Sequence, residues 1–328
     1  MRVRKIRKGA RGTAEQEQAT EQAPATDSAI PVPAGPRRAA YALPDEPEVE
    51  EPDDLDPRDV DVSKAVLPRP SRPRVFAVVN QKGGVGKTTT AVNLAAALGM
   101  AGLRVLVLDV DPQGNASTAL GIEHGTGVPG TYEVLVEQTP IIDVVQKSPE
   151  APNLWLVPAT IDLAAAELEL VSAVSRETRL KRALSSYLAE YPFDYVLMDC
   201  PPSLGLLTLN SLVAADEILI PIQCEYYALE GVQHLQRTIE SVVSVLNPGL
   251  FLSTILLTMH DGRTKLSSEV AANVRQYFPT QTLDTMVPRS VRVAEAPSFG
   301  QTVLTYQPNS AGAVAYLKAA EEIAHRAH

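Results

Sequence analysis

The chain has 328 residues, 45 % of them hydrophobic and only 5 % aromatic, so it can bury one large core or two ordinary ones built mainly from Val, Leu, Ile and Ala. Two cysteines, Cys200 and Cys224, exclude a disulfide framework and suit a reducing cytoplasm. The net charge is −10, no apolar run reaches the ~20 residues of a membrane span, and no apolar stretch follows the basic Met1–Gly12 as a secretory signal requires.

Residues 1–73 differ from the rest. A basic tip (Arg2, Arg4, Lys5, Arg7, Lys8, Arg11) leads into a Gln/Glu/Ala/Thr stretch, a Pro-punctuated segment and an acidic run from Asp45 to Asp61. Eleven of the 26 prolines lie there. So little apolar surface cannot offset the entropy of ordering, and the composition predicts a disordered extension. The tip reads as a solvated tail or as an electrostatic arm that the acidic run screens in cis; a transit peptide fits poorly, because acidic residues follow too soon.

Residues 74–328 read as one domain. Continuous apolar runs at Val75–Val79, Val105–Leu108, Tyr195–Met198, Ile218–Ile220 and Thr254–Leu257 have the pattern of strands buried on both faces of a parallel sheet. Helical stretches fall between them: Thr88–Ala101, Ala164–Val174, Glu177–Glu190, Leu229–Val245 and Leu266–Tyr277. This alternation predicts a doubly wound, mostly parallel α/β domain.

The first strand runs into Gln81-Lys82-Gly83-Gly84-Val85-Gly86-Lys87-Thr88-Thr89. A glycine-rich loop between a strand and a helix is the context of a P-loop, although Gln81 stands where the usual spacing has its first glycine. Gly83, Gly84 and Gly86 let successive N–H groups point at phosphate oxygens, and the helix start adds its positive end. Lys87 reaches the β- and γ-phosphates, and the Thr88 hydroxyl ligates Mg²⁺, so ATP and Mg²⁺ are the expected cofactors. Asp109 and Asp111 end the second strand. Asp199 ends Tyr195–Met198 in the Walker B position and is expected to orient the metal.

Lys82, inside the front of the loop, carries a family resemblance. Lys82-Gly83-Gly84-Val85-Gly86-Lys87-Thr88-Thr89 resembles the deviant Walker A motif of the ParA/MinD group, a SIMIBI-type P-loop NTPase fold, and the likeness runs from Val75 to the C-terminus. It implies that Lys82 crosses a dimer interface to the partner's nucleotide, and that Lys82, Lys87 and Asp111 carry catalysis. Asp109-Val110-Asp111-Pro112-Gln113-Gly114-Asn115 resembles switch I, with Asp111 positioning the attacking water. Asp109 either acts through metal-bound water or has a structural role. Pro201-Pro202-Ser203-Leu204-Gly205 resembles switch II.

The segments Met259–Leu266 and Val287–Gly300 look like Soj-type ParA proteins rather than MinD. By that resemblance Arg263 and Arg292, with Lys265, Arg289 and Lys318 as neighbours, bind DNA without sequence preference. A net acidic chain can still do so, because charge acts over a Debye length of ~8–10 Å. Pro288 belongs to the adenine pocket, and Ser290 replaces the family's Asn there. The implied partners are a second copy of the chain, double-stranded DNA and a ParB-like centromere-binding protein, in a cytoplasmic, nucleoid-associated protein. The tail Ala311–His328 lacks a bulky apolar face, so a packed helix is expected rather than a membrane anchor. Two alternatives remain: a MinD-like or other cargo-positioning ATPase, and an ATP-dependent biosynthetic ligase. The two cysteines have no C-x₂-C spacing and read as small buried hydrophobes rather than cluster ligands.

Overall fold

The computed structural model describes residues 67–226 and 228–326. In chain order the elements are β1 Arg74–Val78, α1 Lys87–Met100, β2 Val105–Asp109, α2 Asn115–Ala119, β3 Gln146–Lys147, β4 Leu154–Val157, α3 Leu163–Glu169, α4 Arg179–Glu190 and β5 Tyr195–Asp199. They continue with α5 Leu206–Ala214, β6 Glu217–Gln223, α6 Ala228–Val245, β7 Phe251–His260, α7 Lys265–Tyr277, β8 Thr282–Pro288, α8 Val291–Glu295, α9 Val303–Tyr306 and α10 Ala311–His325.

The strands form one sheet in the order β3-β4-β2-β5-β1-β6-β7-β8. All neighbours are parallel except the short β3, which pairs antiparallel with β4. In β1, β2 and β5 every residue is buried, which is why those segments read as unbroken apolar runs. One core cluster packs Val75, Ala77, Leu106, Val196 and Ile255 with residues of α3, α4, α5, α6 and α7. The other packs Phe76, Val105, Leu197 and Leu256 with residues of α1, α2, α9 and α10. Successive strand residues thus feed opposite cores.

The five predicted strands are present, and the structure adds β3, β4 and β8. Leu154-Trp155-Leu156-Val157 and Thr282–Pro288 are short or polar in the text, and hydrogen bonding to a neighbour strand decides their state. The expected helix Ala164–Val174 is α3 followed by a 3₁₀ turn, Leu170–Ser172, because Ala173 turns extended. The expected Glu177–Glu190 helix begins as a separate 3₁₀ turn, Arg176–Thr178, after Ser175 takes a left-handed φ of 52°. The expectation of disorder over 1–73 falls mostly outside the described residues, but its last part is packed. Leu67 is buried in the core, and Arg69 pairs with Asp194 at 3.1 Å.

At the end of the sheet away from the phosphate loop, Arg74 is buried. Its Nε and NH2 donate to both Glu217 oxygens at 2.7 and 2.6 Å, and its NH1 donates to the Ile323 carbonyl at 2.7 Å. One guanidinium therefore ties β1, β6 and α10 together. The terminal helix α10 packs as expected, burying Ala313, Tyr316, Ala319 and Ile323. No helix among the described residues is long and apolar enough to cross a membrane.

Candidate nucleotide site and basic face

β1 lies between β5 and β6, and the chain leaves it to build one side of the sheet before returning to build the other. The crevice at the C-terminal ends of such central strands is where this architecture binds ligands. The loop after β1 opens there. Gly84 and Gly86 have φ of 74° and 86°, a region that excludes most side chains. A Cβ on Gly83 or Gly84 would meet nothing within 4 Å, so the backbone faces open space rather than packed protein.

The loop is pinned from both sides by residues outside the motif. Asn80 Nδ2 donates to the Pro221 carbonyl at 2.8 Å, while its Oδ1 accepts from Lys82 N at 3.0 Å. Thr258 of β7 donates to the Val85 carbonyl at 2.9 Å. Lys87 is buried, and its Nζ donates to the Lys82 carbonyl at 3.3 Å. Burial pushes its pKa down, opposed by Asp199 and Asp111. An ammonium held against the backbone of a glycine-rich loop at a helix N-terminus is poised for an anion.

Asp109 and Asp199 are register partners on β2 and β5, both fully buried. Their environments differ. Asp109 Oδ2 accepts from Ser117 N at 2.8 Å and Ser117 Oγ at 2.7 Å, and its Oδ1 accepts from Asp111 N at 3.3 Å. Asp109 therefore anchors α2 to the sheet. Neither oxygen of Asp199 has a hydrogen-bond partner, and the neighbouring Thr88 hydroxyl favours its ionised form. Burial and then the Asp109 charge raise the Asp199 pKa well above the carboxylate range, and burial lifts Asp109 to about 7. A buried carboxylate beside Thr88 with no hydrogen-bond donor is suited to a cation. Among the described residues no three His, Cys, Asp or Glu side chains group to hold a metal unaided. A divalent ion here would complete its shell with phosphate and water, as Mg²⁺ does.

Asp111 caps the turn beyond β2. Its Oδ1 accepts from Gln113 N at 3.0 Å, and the chain then bends through Gly114 at φ 63°. A Cβ on Gly114 would lie 2.7 Å from His124 and 2.8 Å from the Ala159 carbonyl. Beside the loop is a cavity of about 190 Å³ whose lining includes Gly86, Thr89, Met259, Pro288, Val293 and Tyr316. Ser290 also lines it, with a buried Oγ that has no partner. A mainly apolar cavity with one spare hydroxyl suits a purine base, so the residues present fit a nucleotide with its metal. Cys200, pushed up to about 12, and Cys224, also raised, are buried thiols rather than ligands.

Four of the predicted DNA-contacting residues follow the C-terminal ends of β7 and β8, where His260 and Pro288 pair and Arg289 N donates to the His260 carbonyl at 3.0 Å. Arg263 and Lys265 follow β7, and Arg289 and Arg292 follow β8. Lys318 is exposed on α10, which packs against β8 and α8. The face is not purely basic. Arg263 forks onto Asp261 at 3.0 and 3.1 Å, Arg292 meets Glu295 at 3.1 Å, Lys265 meets Glu269 at 3.4 Å, and Arg289 stands 3.7 Å from Glu225. These carboxylates, and the loop clamps Asn80 and Thr258, escaped the sequence reading. Only the polar residue after an apolar strand hinted at Asn80.

Known proteins resemble this chain in sequence and in fold. A family model described as an AAA domain matches residues 73–252. The sporulation initiation inhibitor protein Soj of Bacillus subtilis is 50 % identical over 251 residues, which cover 76 % of this chain and 98 % of that protein. The chromosome partitioning protein ParA of Caulobacter vibrioides is 50 % identical over 253 residues, covering 77 % and 94 %. A solved structure described as cobyrinic acid a,c-diamide synthase from Mycobacterium smegmatis, with bound ATP analog and magnesium, is 39 % identical with TM-score 0.66, covering 76 % and 94 %. The septum site-determining protein MinD of Pyrococcus horikoshii, complexed with Mg-ADP, is 25 % identical with TM-score 0.64, covering 76 % and 96 %. Half of the aligned residues are shared with Soj and ParA across nearly the whole of those proteins, and on that likeness the chain belongs to the ParA/MinD family of ATPases, among its Soj- and ParA-type chromosome-partitioning members.

Proposed function

We propose that this protein is an ATP-driven switch for DNA segregation, which closes as a homodimer on ATP, binds duplex DNA in that state and lets go after hydrolysis. The observation that carries the reading is the placement of the two loop lysines. Lys87 is buried inside its own crevice, while Lys82 stands half-exposed at the crevice mouth, where a second subunit can receive it. The N–H groups of Gly83, Gly84, Val85 and Gly86 hold the phosphates with Lys87, Thr88 and Thr89, and Pro288 faces the base. Thr88 would hold Mg²⁺ and Asp199 would orient it, and the ion would supply charge neutralisation at the phosphates.

Asp111 orients a water for in-line attack on the γ-phosphorus. The new P–O bond forms as the bond to the β-phosphate oxygen breaks, leaving ADP and phosphate, and Lys82 from the other subunit stabilises the charge on the transferring group. Asp109, fastened to Ser117, keeps the segment that carries Asp111 on the sheet. Two copies of the Arg263/Arg292 face, side by side, bind DNA more tightly than one. A ParB-like centromere-binding protein accelerates hydrolysis and so release, and the protein works at the nucleoid.

The test is binding to random-sequence duplex DNA with ADP or ATP across a salt series, for the full chain and Arg263→Glu. ATP-dependent, salt-steep binding that Arg263→Glu abolishes is expected. Equal, negligible binding in every nucleotide state, with ATP dimers present, transfers the reading to a MinD-like positioning ATPase. The ligase reading has one observation behind it, the description of the 39 %-identical Mycobacterium smegmatis structure. It requires ATP turnover that depends on a carboxylic acid such as cobyrinic acid and is indifferent to DNA, which the same phosphate-release assay measures.

A further inference from the structure

Lys82 is the loop residue whose work, in the reading above, lies in another subunit, and the structure shows what holds it while its own subunit is alone. Its Nζ donates to Glu225 Oε2 at 2.8 Å. Glu225 lies just past the end of β6 and is itself oriented: its Oε1 accepts from Gln223 Nε2 at 2.6 Å, with Arg289 NH2 3.7 Å away. The Lys82 backbone is set at both ends, its N–H by Asn80 and its carbonyl by Lys87. The Lys82 side chain is therefore the adjustable part, and a carboxylate of the same chain occupies it.

We propose that Glu225 is a positioning residue for Lys82, the cis counter-ion that this lysine must leave to reach a second subunit's nucleotide. Glu225 thereby sets the protein concentration at which the ATP dimer forms. The inference rests on the dimer reading of the previous subsection. The exchange is carboxylate oxygen for phosphate oxygen on one ammonium, so no bond is made or broken. Both groups are nearly half exposed, at 46 % and 45 %, so the pair is screened and weak enough to be given up. A contact of this strength shifts a threshold by at most about fivefold, which suits a bias better than a lock. Because the same carboxylate neighbours Arg289, DNA binding is a poor readout, and dimerisation without DNA is the proper one.

The experiment has two arms on the full-length chain. In the first, nucleotide-free parent and Glu225→Gln are labelled with an amine-acylating reagent, and Lys82 modification is followed by peptide mass spectrometry, with Lys265 as internal reference. Glu225→Gln is expected to raise Lys82 labelling about twofold or more, and an unchanged rate overturns the proposal. In the second, molar mass against protein concentration is measured with ATP and Mg²⁺ for the parent, Glu225→Gln and Arg289→Ala. Glu225→Gln should dimerise at about two- to fivefold lower concentration at low salt, with the gap closing at high salt and Arg289→Ala not reproducing it. An unchanged or higher threshold for Glu225→Gln, or the same gain from Arg289→Ala, overturns the proposal alone. A parent that stays monomeric with ATP overturns the dimer reading and takes the proposal with it.

Discussion

Asp199 shows how a single residue trades stability for chemistry. Its carboxylate is fully buried without a partner, so the folded, ligand-free protein holds its proton where the unfolded chain would release it. A raised carboxyl pKa makes the ionised form costly, so stability falls as pH climbs from the ordinary carboxylate range toward neutrality. Asp109, lifted from 3.8 to about 7, acts in the same direction. Asp199→Asn should therefore raise the melting temperature of the nucleotide-free protein, by about 2–4 °C for each kcal/mol recovered. Calorimetry should find the gain larger at pH 8 than at pH 5, while Mg²⁺-dependent hydrolysis is lost. Asp111 makes the opposite case. It is buried but hydrogen-bonded within its own turn, so Asp111→Ala should keep ATP binding and slow phosphate release by about 10²–10⁴-fold. The sequence placed both acids at strand ends. It could not say that Asp109 would be consumed by Ser117 while Asp199 stayed bare, because that depends on which helix folds back over which strand.

Between elements, the joints are polar and specific. Arg74 and Glu217 link β1, β6 and α10 from inside the protein. Glu217→Ala would strand a buried guanidinium and should cost about 3–5 kcal/mol, read as a lower denaturation midpoint; replacing both members by apolar residues should cost much less. At the switch, Gly114→Ala meets both an unfavourable φ and the Ala159 carbonyl at 2.8 Å. It should destabilise the region around α2 and slow hydrolysis, with hydrogen exchange across 110–120 showing the loosening. The five long apolar strands were legible because burial on both faces leaves an unbroken run of Val, Leu and Ile. β4 and β8 were not, since Trp155 and the polar Thr282, Asp284 and Thr285 carry no periodic signal and only the ladder to β2 or β7 defines them as strands.

For the whole molecule, the net charge of −10 makes the proposed hold on DNA a matter of local charge. Arg263, Lys265, Arg289 and Arg292 follow the ends of β7 and β8, and all four already sit against Asp261, Glu269, Glu225 or Glu295. In the proposed DNA-bound state each phosphate contact would compete with a carboxylate, so pairing two faces would matter more than one subunit's grip. Asp261→Asn removes the fork on Arg263 and should tighten ATP-dependent DNA binding several-fold at low salt. Fluorescence anisotropy against salt would read this, and Arg263→Glu should cancel the gain.

The sequence by itself determined the fold class, the phosphate loop, both acidic strand ends and the kinship. Each is local: a glycine pattern, an apolar run closed by a carboxylate, a short stretch of text after a strand. The tertiary structure alone decided which acid is left without a partner, that Leu67 belongs to the core, that Glu225 holds Lys82, and that the basic face is half-neutralised. Those are contacts between residues far apart in the chain, such as Lys82 with Glu225 and Arg74 with Glu217. They exist only once parallel strands have brought their ends to one side of the sheet, and nothing in the spacing of either partner announces the other.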